Sequence, residues 1–249
     1  MINNLESIMN WEEVKMRLFV KATNRHKEAD SAATVKLTND ICLRVSVLLS
    51  EAEACESEIA TASMPWKTLE YISGGMDRQE ILRLAIDNTF DLFTPVCTRM
   101  PRDISDMGSF IDELKFIEFM KELITARDDK ETFVVTNRFQ INGATSIFLP
   151  GVVKRLSEVF DSDLLIAFTS IHEAMVHSMK SGLSPGDLEQ ILTEPAFNSD
   201  DIYLSSKAYI YDRDYNEIHE FIKGDSEDYY GEKVVWNMFI PQTTVCYRQ

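Results

Sequence analysis

The sequence predicts an α+β fold, with mixed, mostly antiparallel sheets flanked by helices. Three observations predict it: short β-rich runs of period two that fall in hairpin-like pairs, apolar stripes of helical period between them, and turn or cap residues at their junctions. A chain of 249 residues with 45% hydrophobic content can bury one large core or two small ones. The solvated run Arg127-Asp128-Asp129-Lys130-Glu131 marks a seam. It divides an N-terminal α+β subdomain (1–127) from a C-terminal one (132–249), or forms a turn within one continuous domain.

Trp11 to Asn24 begins as a short amphipathic segment and passes into alternating apolar positions, read as a strand at its end. Ile41 to Leu49 is a β-branched strand with Val45, Val47 and Leu49 on one face. The acidic run Glu51 to Glu58 is a solvated turn leading to a strand over Ile59 to Met64. Pro65 to Ile72 is a short helix stopped at Gly74-Gly75, which suits a left-handed cap. Asp77, three residues before Glu80, opens a helix reaching about Asn88. Thr94 to Ser109 holds Pro95, Pro101 and Gly108 and reads as a loop. Phe110 to Ala126 carries a broad apolar stripe and is predicted to be the longest helix.

Thr132 to Thr136 is a strand, Asn142-Gly143 a turn and Thr145 to Leu149 a second strand. Pro150 opens a helix with Val152, Val153, Leu156, Val159 and Phe160 inward. Asp163 to Thr169 and Glu173 to Met179 are strands, with Leu164 to Phe168 fully buried. Ser184-Pro185-Gly186-Asp187 caps a helix through Leu188, Ile191 and Leu192. Lys207 to Tyr211 and Lys233 to Ile240 close the chain as strands.

Composition narrows the function. No apolar run approaches the roughly 20 residues that span a bilayer, and Met1 to Glu6 shows no secretory signal. Cys42, Cys55, Cys97 and Cys246 lack metal-ligand spacing and read as small core or sub-surface residues, which suits the reducing cytoplasm. With 25 basic against 41 acidic side chains the formal charge is −16. Such a surface repels nucleic-acid phosphate and anionic lipid and attracts a protein with a basic surface. Solubility alone is the plainer reason for the same excess.

Ser170, His172 and Glu173 form the most chemical grouping. On an extended segment Ser170 and His172 share a face, as a nucleophile and its base require, and Asp161 or Asp163 could orient the imidazole. No G-x-S-x-G elbow or glycine-rich oxyanion turn accompanies them, and the plainer reading is a strand end whose Ser and His satisfy backbone groups. His172 and His177 are five apart, one too many for the two-histidine zinc helix. Asp200-Asp201 with Asp212 and Asp214 lacks the order of a calcium loop. Phosphate-cradling and dinucleotide motifs are absent from the sequence, so the expectation is no metal and no cofactor. In Asp225, Glu227, Asp228, Tyr229 and Tyr230, acids flank two amphipathic rings and predict a partner-facing edge; a mobile hairpin loop explains the same composition.

Several strings share one further pattern. Thr136-Asn137, Gly143-Ala144 and Leu149-Pro150, then Ser170-Ile171-His172-Glu173, then Tyr209-Ile210-Tyr211-Asp212-Arg213 resemble an uncharacterised family from Firmicutes, domain of unknown function 5688. Glu80 to Met100 is similar to that family's helix and loop. The resemblance covers roughly Trp11 to Ile218. Phe168 and Thr169 stand where the family has proline and serine, and the segment after Ile218 reads as an extension. The resemblance implies no activity.

Three functions are therefore expected, in this order. The first is an acidic, non-enzymatic cytoplasmic binding protein of bacterial or mobile-element context that docks on a basic site of another macromolecule, as an inhibitor or modulator. The second is a hydrolase using Ser170 and His172. The third is a self-assembling scaffold that pairs through Lys233 to Ile240.

Overall fold

The computed structural model describes residues 10–29, 31–49, 59–100, 117–118, 128–194 and 202–222. Its first sheet is built on β1 (Leu18–Asn24) and β3 (Ile41–Leu48), paired antiparallel from Leu18↔Val47 to Asn24↔Ile41, with β2 (Thr34–Lys36) and β4 (Thr61–Ser63) on the other side of β3. Period-two alternation sends Leu18, Val20 and Ala22 inward with Ile41, Leu43, Val45 and Val47. Helix α1 (Trp11–Lys15) precedes β1, its Asn10 cap accepting from the Glu13 N–H at 3.0 Å. Helix α2 (Trp66–Ile72) ends at Gly74 and Gly75, whose φ angles of 75° and 90° bear out the expected left-handed stop. Helix α3 (Arg78–Leu92) starts at Asp77, which caps the Gln79 N–H, and buries Ile81, Leu82, Ala85 and Ile86.

The outer edge of β1 would leave backbone groups unpaired in a buried place. Side chains satisfy them. Thr89 Oγ1 of α3 accepts from the Val20 N–H at 2.8 Å, Thr145 Oγ1 accepts from the Ala22 N–H at 2.8 Å, and Asn88 Nδ2 donates to the Leu18 carbonyl at 3.0 Å. Because an orphaned buried N–H costs about 1–3 kcal/mol, Thr145→Val is expected to lower unfolding free energy by about 2 kcal/mol, measured by urea titration.

The second sheet has the order β11-β10-β8-β9-β7-β5-β6, each pair antiparallel. Its strands are β5 (Pro95–Arg99), β6 (Ile117–Glu118), β7 (Thr132–Asn137), β8 (Leu164–Phe168), β9 (Ala174–Ser178), β10 (Ala208–Asp212) and β11 (Glu217–Glu220). Strand β8 is buried at all five positions, as its unbroken apolar run predicts. Leu164, Ile166 and Phe168 join the main core, with α4 (Val152–Phe160) and a 3₁₀ run over Gly143–Phe148. Leu165 and Ala167 face the other way, under Leu188 and Leu192 of α5 (Pro185–Leu192). Ser184 caps α5 by accepting from the Asp187 N–H at 3.1 Å.

The α+β architecture is as predicted, and several elements differ from expectation. Residues 95–99 form a strand, not a loop: Pro95 takes the first strand position, where its missing N–H costs least. Ile117–Glu118 pair with β5 inside the stretch expected to be helical. Thr145 to Leu149 was expected as a strand, but Gly143–Phe148 wind as 3₁₀ helix because Thr145 Oγ1 accepts from β1 and Ser146 Oγ donates to the Thr136 carbonyl. Gly151, at φ 80°, is the cap of α4, and Pro150 precedes it. Helix α3 runs to Leu92, past Asn88. Leu49 and Ile191 are 38% and 41% exposed. Cys42 and Cys97 are buried as expected. Cys55, Cys246, the acidic run Glu51 to Glu58, the rest of the 110–126 helix and the Lys233 to Ile240 strand lie outside the described residues. Among those described, no helix is long and apolar enough to cross a membrane.

Candidate functional site

The strings singled out in the sequence meet at one end of the second sheet. After β7 the chain turns through Gln140 and Asn142, both at positive φ (58° and 54°), into the 3₁₀ run. Asn137 holds this turn, its Nδ2 donating to the Ile141 carbonyl at 2.7 Å and its Oδ1 accepting from the Phe139 N–H at 2.9 Å. The link between β8 and β9 packs directly on it. Thr136 Oγ1 donates to the His172 carbonyl at 2.7 Å, the Ala144 N–H to the Ile171 carbonyl at 3.2 Å, and the Asn142 N–H to His172 Nδ1 at 3.2 Å.

Ser170, His172 and Glu173 share this link, which bends sharply instead of continuing as an extended segment. Ser170 Oγ accepts from the backbone N–H of His172 at 3.0 Å, closing a local turn. Glu173 Oε1 accepts from Thr169 Oγ1 at 3.0 Å. With Nδ1 accepting from Asn142, neutral His172 carries its proton on Nε2 and presents a donor there. Burial pushes the imidazole pKa below its ordinary value, and Glu173 partly offsets this. Asp161 and Asp163 lie at the opposite end of β8: Asp161 pairs with the Arg213 guanidinium at 2.5 Å, and Asp163 accepts from the Arg213 N–H at 2.9 Å. The structure therefore brings serine, histidine and glutamate together and sets both aspartates apart from them.

His177 stands on β9, where its Nδ1 lies 3.0 Å from Thr132 Oγ1. Burial lowers its pKa to about 4, and its Nε2 is buried with no hydrogen-bond partner among the described residues. Among the described residues no group of three His, Cys, Asp or Glu is placed to hold a metal ion. Asp212 accepts from the N–H groups of Asp214 and Tyr215, as a turn residue does. Asp225, Glu227, Asp228, Tyr229 and Tyr230 lie outside the described residues, as do Asp200 and Asp201.

The tyrosines of β10 tie a third string to the first two. Phe148 stacks on Phe168 at 5.4 Å between centroids, and Phe168 meets Tyr209 edge-on at 5.3 Å. Tyr209 OH bonds Ser205 Oγ at 3.1 Å, Ser205 Oγ donates to Asp40 Oδ2 at 3.2 Å, and Tyr211 OH donates to Asn216 Oδ1 at 2.8 Å. Burial pushes the Tyr211 phenol up to about 12. The roles of Ser205, Asp40 and Thr89 escaped the sequence reading, since Ser205 meets Asp40 across 165 residues and Thr89 meets Val20 across 69. A small cavity beside the junction is lined by Asn137, Asn142, Thr145 and Ser146 and by the apolar Phe19, Phe93 and Leu149. The side chains of Asn137, Thr145 and Ser146 bond backbone groups here and so fix the loops of the junction.

A model of a family of unknown function, DUF5688, matches residues 1–213 of this chain. No curated protein and no solved structure matches it.

Proposed function

The chain belongs to DUF5688, a family of unknown function, and for this member we propose a non-catalytic role: it docks through an acidic surface onto a basic site of another macromolecule and so modulates that partner. The observation that carries this reading is a net charge of −16 together with a row of exposed carboxylates on α3. Glu80, Asp87 and Asp91 follow one another at helical spacing, opposite the buried stripe of Ile81, Ala85 and Ile86. Partial burial raises the Asp87 pKa, with Arg83 opposing this rise and Asp91 adding to it. Glu12 and Glu13 of α1 are exposed as well, and Asn88 Nδ2 ties α3 to the end of α1 at the Lys15 carbonyl, 2.6 Å away. The bonds that fix Ser170 and His172 to backbone groups add support.

The test is retention of host proteins on the immobilised chain across a salt gradient. The triple change Glu80→Lys, Asp87→Lys, Asp91→Lys is expected to abolish capture of basic proteins that elute from the wild type as salt rises, with the melting temperature unchanged. The pair Glu227→Lys, Asp228→Lys probes the C-terminal acids in the same way. Identical capture by wild type and both variants, or elution indifferent to salt, would reject the reading.

A further inference from the structure

The outer face of the first sheet carries the opposite charge. Cross-strand register places Lys21 against Arg44, Phe19 against Ser46 and Thr23 against Cys42, all turned away from the main core. Like charges set directly opposite destabilise a sheet pair, and among the described residues one carboxylate pairs with them: Glu28 Oε2 accepts from Arg44 Nη1 at 3.0 Å. Two cations thus share one anion. Lys21 is half-buried and makes no hydrogen bond or ion pair among the described residues, while the buried Arg44 Nε and Ser46 Oγ also lack partners. Ser46 is 1% exposed. Native proteins rarely leave two buried polar atoms unsatisfied side by side.

We propose that Lys21 and Arg44 form an oxyanion-binding site on the outer face of the first sheet, taking the phosphate or carboxylate group of a small anionic ligand. Lys21 and Arg44 extend from directly opposed positions, and Ser46 follows two residues along β3, on the same face. An oxyanion between the arms supplies the missing negative charge and accepts from Lys21 Nζ and the guanidinium of Arg44, which keeps Glu28 as well. The crowding of like charges leaves a signature on Lys21. Burial, then the Arg44 charge, lowers its pKa to about 8, against a smaller rise from Glu28.

That signature supplies the test. The full chain is acylated at pH 7 with a limiting amine reagent, and each lysine is quantified by peptide mass spectrometry. Inorganic phosphate and acetate are compared with chloride at matched ionic strength. An opposite charge within about 4–6 Å raises an amine's proton affinity about tenfold or more, so Lys21 labelling is expected to fall about tenfold in the salt that binds. The exposed Lys67 and Lys154 are expected to stay unchanged. Protection by phosphate alone identifies a phosphoryl ligand, and protection by acetate alone a carboxylate. Lys21 labelling that follows Lys67 and Lys154 in both salts would overturn the proposal. So would equal protection in wild type and Arg44→Gln, because the second arm would then play no part.

Discussion

Gly143→Ala is expected to remove at least about 3 kcal/mol of stability, a large fraction of the 5–15 kcal/mol typical of a domain. A Cβ at this position would drive into Thr136 Oγ1 and the His172 carbonyl and would lie 2.8 Å from the Asn137 N. Two of the three atoms are backbone, and they belong to different segments, so no rotamer change relieves the contact. Pushing the segments apart also strains the bonds from Thr136 Oγ1 to His172 and from the Asn142 N–H to the imidazole. Gly151 and Gly182 are the controls. Both have positive φ (80° and 83°) and open space around them, so alanine there costs only the left-handed penalty of about 1–2 kcal/mol. Urea midpoints of the three variants decide the matter. Should Gly143→Ala be no worse than Gly182→Ala, the close approach of the two loops is not what holds the junction.

Much of this fold was legible because it is dictated locally. The run Leu164 to Phe168 has no polar residue and no room to be anything but a covered strand. The Ser184-Pro185 start of α5 and the Gly74-Gly75 stop of α2 are backbone chemistry written into residue types. Failures came where distant partners outvoted the local pattern. Thr145, Ile147 and Leu149 alternate like a strand, but the Thr145 hydroxyl is claimed by Ala22, 123 residues away, and the segment winds up to reach it. Pro95 reads as a loop marker, yet it only begins the strand that β7 and the pair at Ile117–Glu118 complete. The same limit governs the candidate site. Ser170 and His172 do lie in one turn, but Asn142, which decides the role of the imidazole, is 30 residues upstream. The Lys21–Arg44 juxtaposition depends on strand register, which the composition of either strand leaves open.

Acid is expected to destabilise the fold well above the range in which carboxylates protonate, with His177 as the main cause. Its folded-state pKa of about 4 lies below the ordinary value of 6.5, so between these limits the unfolded chain holds a proton that the folded chain refuses. Unfolding then takes up protons, and stability falls as pH falls. The contribution is present in full above pH 6.5 and is lost by about pH 4, a span of about 3 kcal/mol at 1.36 kcal/mol per tenfold step. His177 is only 8% exposed, so solvent screening removes little of it. His172 shifts in the same direction and steepens the upper part of the window, where protonating Nδ1 would set a donor against the Asn142 N–H. One effect opposes the trend: at −16, acid relieves self-repulsion and favours the compact state. A variant separates the two, because charge relief is common to both chains and the buried imidazole is not. Unfolding free energies of wild type and His177→Met, measured between pH 7 and pH 4.5, are expected to diverge, with the wild type losing about 2–3 kcal/mol more. Parallel curves would mean that the ring at 177 takes a proton as readily in the fold as in water, and that its burial against Thr132 exerts no electrostatic cost.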